Sequence, residues 1–237
     1  MRDWLTYRLS DFLLFTQRTY YRMFELYHDA VWPLQLAVLA IVIGIAVSLR
    51  RSDASRGVVI SALLAMGWLW VGIAFHLQRY ATINWAAKYF GAAFIVESAL
   101  LVWYGVIRRL PFRDPNDAMR RFAPVVFVAS VVIPPLAVLA QDRGWSQVDL
   151  AWLTPDATAM MTLALLLGAT PRAPRLLLVV PIAWCLIAAL TLYALESPEA
   201  WVTVVAVIAS CLALRGQRRS GLSQPDDAAL AAEMRRL

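Results

Sequence analysis

The sequence predicts an all-α protein: a polytopic transmembrane helical bundle of about seven spans, preceded by an amphipathic helix in the membrane interface. Three observations carry this. Apolar residues make up 61% of the 237 positions and mean hydropathy is +0.62, far above a soluble globular chain. The apolar residues gather in runs of about 17 to 22, long enough to cross a bilayer and without the strict alternation of barrel strands. Lipid cannot satisfy backbone polar groups, so such runs must be helices. Finally, the positive charge is almost all arginine and falls between the runs, which is the positive-inside pattern. The basic balance, net +6 with a pI near 9.7, then points to anionic lipid as partner and not to nucleic acid.

Taken in order, the chain divides into an N-terminal interfacial segment (1–32), a transmembrane bundle (33–214) and a polar cytoplasmic tail (215–237). In the first, Leu9, Phe12, Leu13, Thr16, Tyr20, Met23, Phe24, Tyr27 and Val31 recur at helical spacing, and Asp11, Arg18, Arg22, Glu25 and Asp29 fall opposite. This predicts a helix over 9–31 that lies in the interface or docks against the mouth of the bundle. Trp32-Pro33 starts the first span, a position where proline is tolerated. Spans are expected at 33–49, 57–78, 84–107, 122–141, 154–170, 175–195 and 199–214. Arginines crowd the segments 50–56, 108–121 and 172–175 and the tail, and are sparse in the alternate turns. The N-terminus is therefore expected outside and the C-terminus in the cytoplasm. No signal-peptide pattern is present, so no cleavage is expected.

Some positions inside the runs stand out. Pro134-Pro135 must break or kink the fourth span, since two consecutive prolines remove two helix hydrogen bonds. The break is either packed or lines a solute path. Thr154-Pro155-Asp156 opens the fifth span as N-cap, first-turn proline and dipole-complementing acid. Cys185 and Cys211 lie in apolar runs and read as buried thiols. With no CxxC and no Cys/His cluster, no metal and no cofactor is expected. A His–carboxylate hydrolase arrangement is also missing from the spacing, and no enzymatic activity is expected.

The polar residues that could bear function concentrate in the second and third spans, WLWVGIAFHLQRYATINWAAKYFGAAFIVES (68–98). At α-helical spacing Trp68, Gly72, His76 and Arg79 share a face. Asn84 and Lys88, the latter the only lysine, share a face of the returning helix. His76, Arg79, Asn84 and Lys88 thus form a polar cluster at the outer mouth. It is either a solvated helix end, with Lys88 snorkelling, or a binding site for an anionic or polar solute. A haem or metal role for His76 would require a second imidazole from His28. Glu97 lies about thirteen residues into its span, roughly 20 Å deep at the rise of an α-helix. A carboxylate there must be protonated, paired or in a wet cavity. It is expected to be neutral and to face protein or a narrow wet cavity and not lipid, with Ser130, Thr162 and Thr191 as candidate partners. Lys88, nine residues away on the opposite face, cannot serve. Ala87 and Gly91 suit close helix packing.

WLWVGIAFH…INWAAKYFGAAF, together with TPDATAMMTLALLL in the fifth span and Pro181 and Trp184 in the sixth, resembles an uncharacterised family of bacterial polytopic inner-membrane proteins. Its members are labelled in places as permeases. The resemblance covers most of the membrane region but not the first 30 residues or the tail. It implies a multi-pass bacterial inner-membrane location and no established activity. Members of the family carry Tyr before the histidine and Gln at the position of Glu97, where this chain has Phe75 and Glu97. Three functions are then open. The chain could be a small permease or channel-like protein, a non-catalytic accessory or assembly subunit of a larger membrane complex, or a haem- or metal-binding protein. Its expected partners are the lipid bilayer and other membrane subunits or further copies of itself.

Overall fold

The computed structural model describes residues 13–48, 55–111, 150–166 and 173–197, with scattered helical positions between 127 and 136 and between 200 and 208. Among the described residues the chain is all-helical. Pro134 and Pro135 lie outside them, as do most of the expected fourth and seventh spans.

Helix α1 runs Gln17–Val31. It starts later than the apolar stripe suggests, because the Thr16 hydroxyl caps it and accepts the Thr19 N–H at 3.2 Å. Leu13 to Thr16 are not helical. Tyr20, Met23, Phe24 and Tyr27 are buried, and the three aromatic rings pack on Phe75 and Tyr80 at ring-centroid distances of 5.2 to 6.2 Å. The aromatic face of α1 therefore docks on protein. Helix α2 (Leu34–Ser48) follows after a bend of 87°. A helix cannot run through Trp32-Pro33 without losing a hydrogen bond.

Helix α3 (Arg56–Trp70) continues as a π-helical stretch, Val71–Leu77. The Gln78 N–H bonds the Ile73 carbonyl at 3.1 Å, one residue beyond α-helical reach. A short 3₁₀ turn, Tyr80–Thr82, leads into the return. The Asn84 side chain holds this turn by accepting the Ala86 N–H at 3.0 Å, as Asn does in tight turns. Helix α4 (Ala87–Leu101) also ends in a π-helical stretch, Val102–Ile107. The α3–α4 pair is close enough at Gly72 and Gly91 that a Cβ on Gly72 would stand 3.2 Å from the Gly91 carbonyl oxygen.

Helix α5 (Pro155–Leu166) is buried at all twelve positions, Asp156, Thr158 and Thr162 included. It packs against α3 and α6 (Leu176–Ala194), and α6 also meets α4. Among the described residues, three helices are long and apolar enough to cross a membrane: Arg56–Thr82, Ala87–Ile107 and Leu176–Ala194. The bent α1–α2 pair makes a fourth if counted as one span. Large apolar side chains point outward along these helices, among them Leu36, Leu39 and Ile43 on α2 and Val179, Leu186 and Leu190 on α6.

Candidate functional site

Two kinds of buried polar group occupy the interior. The first kind is satisfied. On α5, Thr158 and Thr162 sit four residues apart and donate to the carbonyls one turn back, Thr154 and Thr158, at 2.7 and 2.8 Å. Thr158 also accepts the Trp152 backbone N–H at 2.9 Å, and Thr162 accepts the Trp68 Nε1–H at 2.9 Å. Asp156, in the first turn of α5, accepts the Trp184 Nε1–H at 2.8 Å. Asp156 is thus both a helix-start acid and a tether to α6. The Trp152 indole donates to the Leu63 carbonyl at 2.6 Å and fills the place a Cβ on Gly67 would take.

The second kind is not satisfied. His76 and Glu97 are 0% exposed. Both ring nitrogens of His76 and both carboxyl oxygens of Glu97 lack a hydrogen-bond partner among the described residues. An enclosed polar group without a partner costs about 1–3 kcal/mol. His76 sits in the π-helical stretch inside an aromatic cage. Its ring lies 4.5 Å from Phe94, 4.8 Å from Trp184 and 6.0 Å from Tyr80. Glu97 lies on the buried face of α4 with Gly91, Phe94, Ser98 and Leu101.

Two of the three expected partners of Glu97 are engaged elsewhere. Thr162 is used as above, and the Thr191 hydroxyl donates to the Ile187 carbonyl at 2.8 Å. Ser130 lies outside the described residues. The Ser98 hydroxyl, next along α4, donates to the Ala65 carbonyl at 2.7 Å.

The four residues expected to form one polar mouth, and Glu97 expected deeper in its span, are spread over different environments. His76 and Glu97 are enclosed, Arg79 and Asn84 are half-buried, and Lys88 points outward. The π-helical and 3₁₀ turns explain the separation: they add residues per turn and then tighten, so α-helical spacing fails beyond Gly72. Arg79 acts electrostatically on Tyr27 of α1, while His76 meets α4 and α6. His28 is buried against Phe24 and Tyr27. Among the described residues, no group of three or more His, Cys, Asp or Glu side chains converges as a metal site. The sequence reading missed the Asp156–Trp184 tether and the threonine ladder. The four-residue spacing of Thr154, Thr158 and Thr162 was its visible signal.

Among the described residues, an all-helical bundle with outward apolar faces and two enclosed ionisable groups without hydrogen-bond partners defines the class. Within it, the chain belongs to DUF6064, a family of unknown function whose model matches residues 17–224. The match takes in α1 and the start of the tail, beyond the stretch over which the resemblance was legible. No curated protein and no solved structure matches the chain.

Proposed function

We propose that this chain is an integral inner-membrane protein of about seven spans, N-terminus outside and C-terminus in the cytoplasm, that acts as a small proton-linked permease for a polar or anionic solute. The observation that carries the reading is the enclosure of Glu97 and His76 with no polar partner among the described residues. Ionisable groups inside a membrane bundle are costly, and pathways for protons or solutes are where that cost has a use. Glu97 takes and releases the proton, and His76 gates its access from the outer end of α3. The outward apolar faces of α2, α3, α4 and α6 support lipid as surroundings. The 87° bend between α1 and α2 suits a helix along the interface followed by one across it.

Two experiments test this. Reporter fusions at Met1 and after Ser220 should be active outside and inside respectively, and an externally active C-terminal reporter contradicts the topology. In proteoliposomes under an imposed pH gradient, the full chain should accumulate at least one of phosphate, sulfate or a small carboxylate. The Glu97→Gln variant should fold but accumulate none. Wild-type protein that takes up none of these anions, and that brings stoichiometric membrane partners through gentle solubilisation, is instead an accessory subunit.

A further inference from the structure

Between α1 and the turn that ends α3 lies a cleft of about 430 Å³, lined in part by Arg18, Arg22 and Arg79. Arg18 and Arg22 are four residues apart and so share a face of α1, where like charges repel. Arg79 reaches the same cleft from a different element. No acid lines it. Glu25 pairs with Arg22 at 2.6 Å from outside the lining, and Arg18 and Arg79 make no ion pair among the described residues. Gln78 adds a neutral amide, and Met23, Leu26 and Ile83 give one side an apolar wall. Three guanidinium groups around one small volume suit a tetrahedral oxyanion, because each presents a planar fork to two oxygens.

We propose that this cleft binds a phosphate group, carried either by an anionic phospholipid headgroup or by a phosphorylated solute. The guanidinium groups of Arg18 and Arg79 hold the phosphate oxygens, and Arg22 adds charge while tied to Glu25. The apolar wall accommodates the start of an acyl chain or the carbon frame of a solute. The inference rests on the membrane reading above only for the lipid source.

The test uses the full chain in mild detergent. One arm offers phosphatidylglycerol or phosphatidylcholine and reads retained lipid by native mass spectrometry. The other titrates inorganic phosphate by calorimetry. The wild type should retain phosphatidylglycerol over phosphatidylcholine, or bind phosphate, by at least about tenfold over R18Q/R79Q, the scale of one charge-assisted hydrogen bond. The control R109Q/R175Q makes the same charge change away from the cleft and should bind as wild type. Phosphate binding places the ligand in solution, and lipid retention alone places it in the bilayer. If R18Q/R79Q unfolds, R18K/R79K keeps the charge but not the forks and should still lose binding severalfold. Binding in neither arm, binding unchanged in the R18Q/R79Q or R18K/R79K variant, or equal loss in the control overturns the proposal. Uptake retained while this binding is absent leaves the permease reading standing, and binding retained without uptake does the reverse.

Discussion

Helix α5 and the α3–α4 hairpin bury polar side chains to the same depth and treat them oppositely. On α5, Thr158 and Thr162 each make two hydrogen bonds, and Asp156 holds the Trp184 indole. On the hairpin, His76 and Glu97 make none among the described residues. A satisfied buried group adds about 1 kcal/mol, whereas an orphaned one subtracts as much or more. The threonines of α5 therefore belong to the architecture. His76 and Glu97 gain no such stabilisation from the described residues, and the function proposed above is what such residues would serve. Depth alone does not mark a functional group in an apolar bundle, as the threonines of α5 show.

The comparison can be broken or sharpened by substitution, starting with the largest effect. Gly67→Val places methyl groups into the Trp152 indole, which is fixed at both ends: its own φ is +64° and its Nε1 is bonded to Leu63. The neighbour cannot retreat, so a loss of at least about 3 kcal/mol is expected. It should be read as failure to purify folded protein or as a collapse of the unfolding midpoint. If Gly67→Val behaves as wild type, α5 is not seated against α3 as described.

Thr162→Val keeps the volume and removes the hydroxyl, leaving the Trp68 N–H buried and unpaired. The expected cost is about 1–3 kcal/mol, measured by thermal unfolding in detergent, with a matching change in tryptophan fluorescence. Thr158→Val should fall in the same range.

Gly72→Ala is milder. Its Cβ would meet the Gly91 carbonyl oxygen and the Phe94 Cβ, both at 3.2 Å. The overlap opposes the gain of about 0.5–1 kcal/mol that alanine brings inside a helix. A net loss of about 1 kcal/mol is expected, and a net gain would show that the hairpin has room to spare at the level of His76.

The legibility of this fold followed the physics of each signal. Hydropathy located α3, α4 and α6 nearly to their ends, because an apolar run of that length has few alternatives. The same signal could not distinguish an apolar helix that faces lipid from one that faces protein. Thus α5, enclosed at every described position, read as a short and ordinary span. The stripe on α1 was visible, but its start was set by the Thr16 cap and its aromatic face by the surfaces of Phe75 and Tyr80, which lie far along the chain. The π-helical stretches were not legible at all: Val71–Leu77 contains neither proline nor an unusual polar run. Their extra residue per turn is what moved Arg79 toward α1 and turned His76 inward, so the mouth assembled on α-helical spacing came apart. From the sequence Arg18 and Arg22 fall opposite the apolar stripe of α1, and nothing in α1 alone brings Arg79 beside them.

Glu97→Leu is the measurement that bears most directly on the account. Leucine nearly matches the volume of the glutamate side chain and removes the two orphaned oxygens. If Glu97 has no structural partner, the Glu97→Leu variant should unfold at or above the wild-type temperature in the same detergent. Thr162→Val, measured beside it, should fall by roughly 2–4 °C for each kcal/mol lost. A Glu97→Leu midpoint that drops as far as that of Thr162→Val would contradict the account, placing Glu97 among the hydrogen-bonded residues that hold the bundle together.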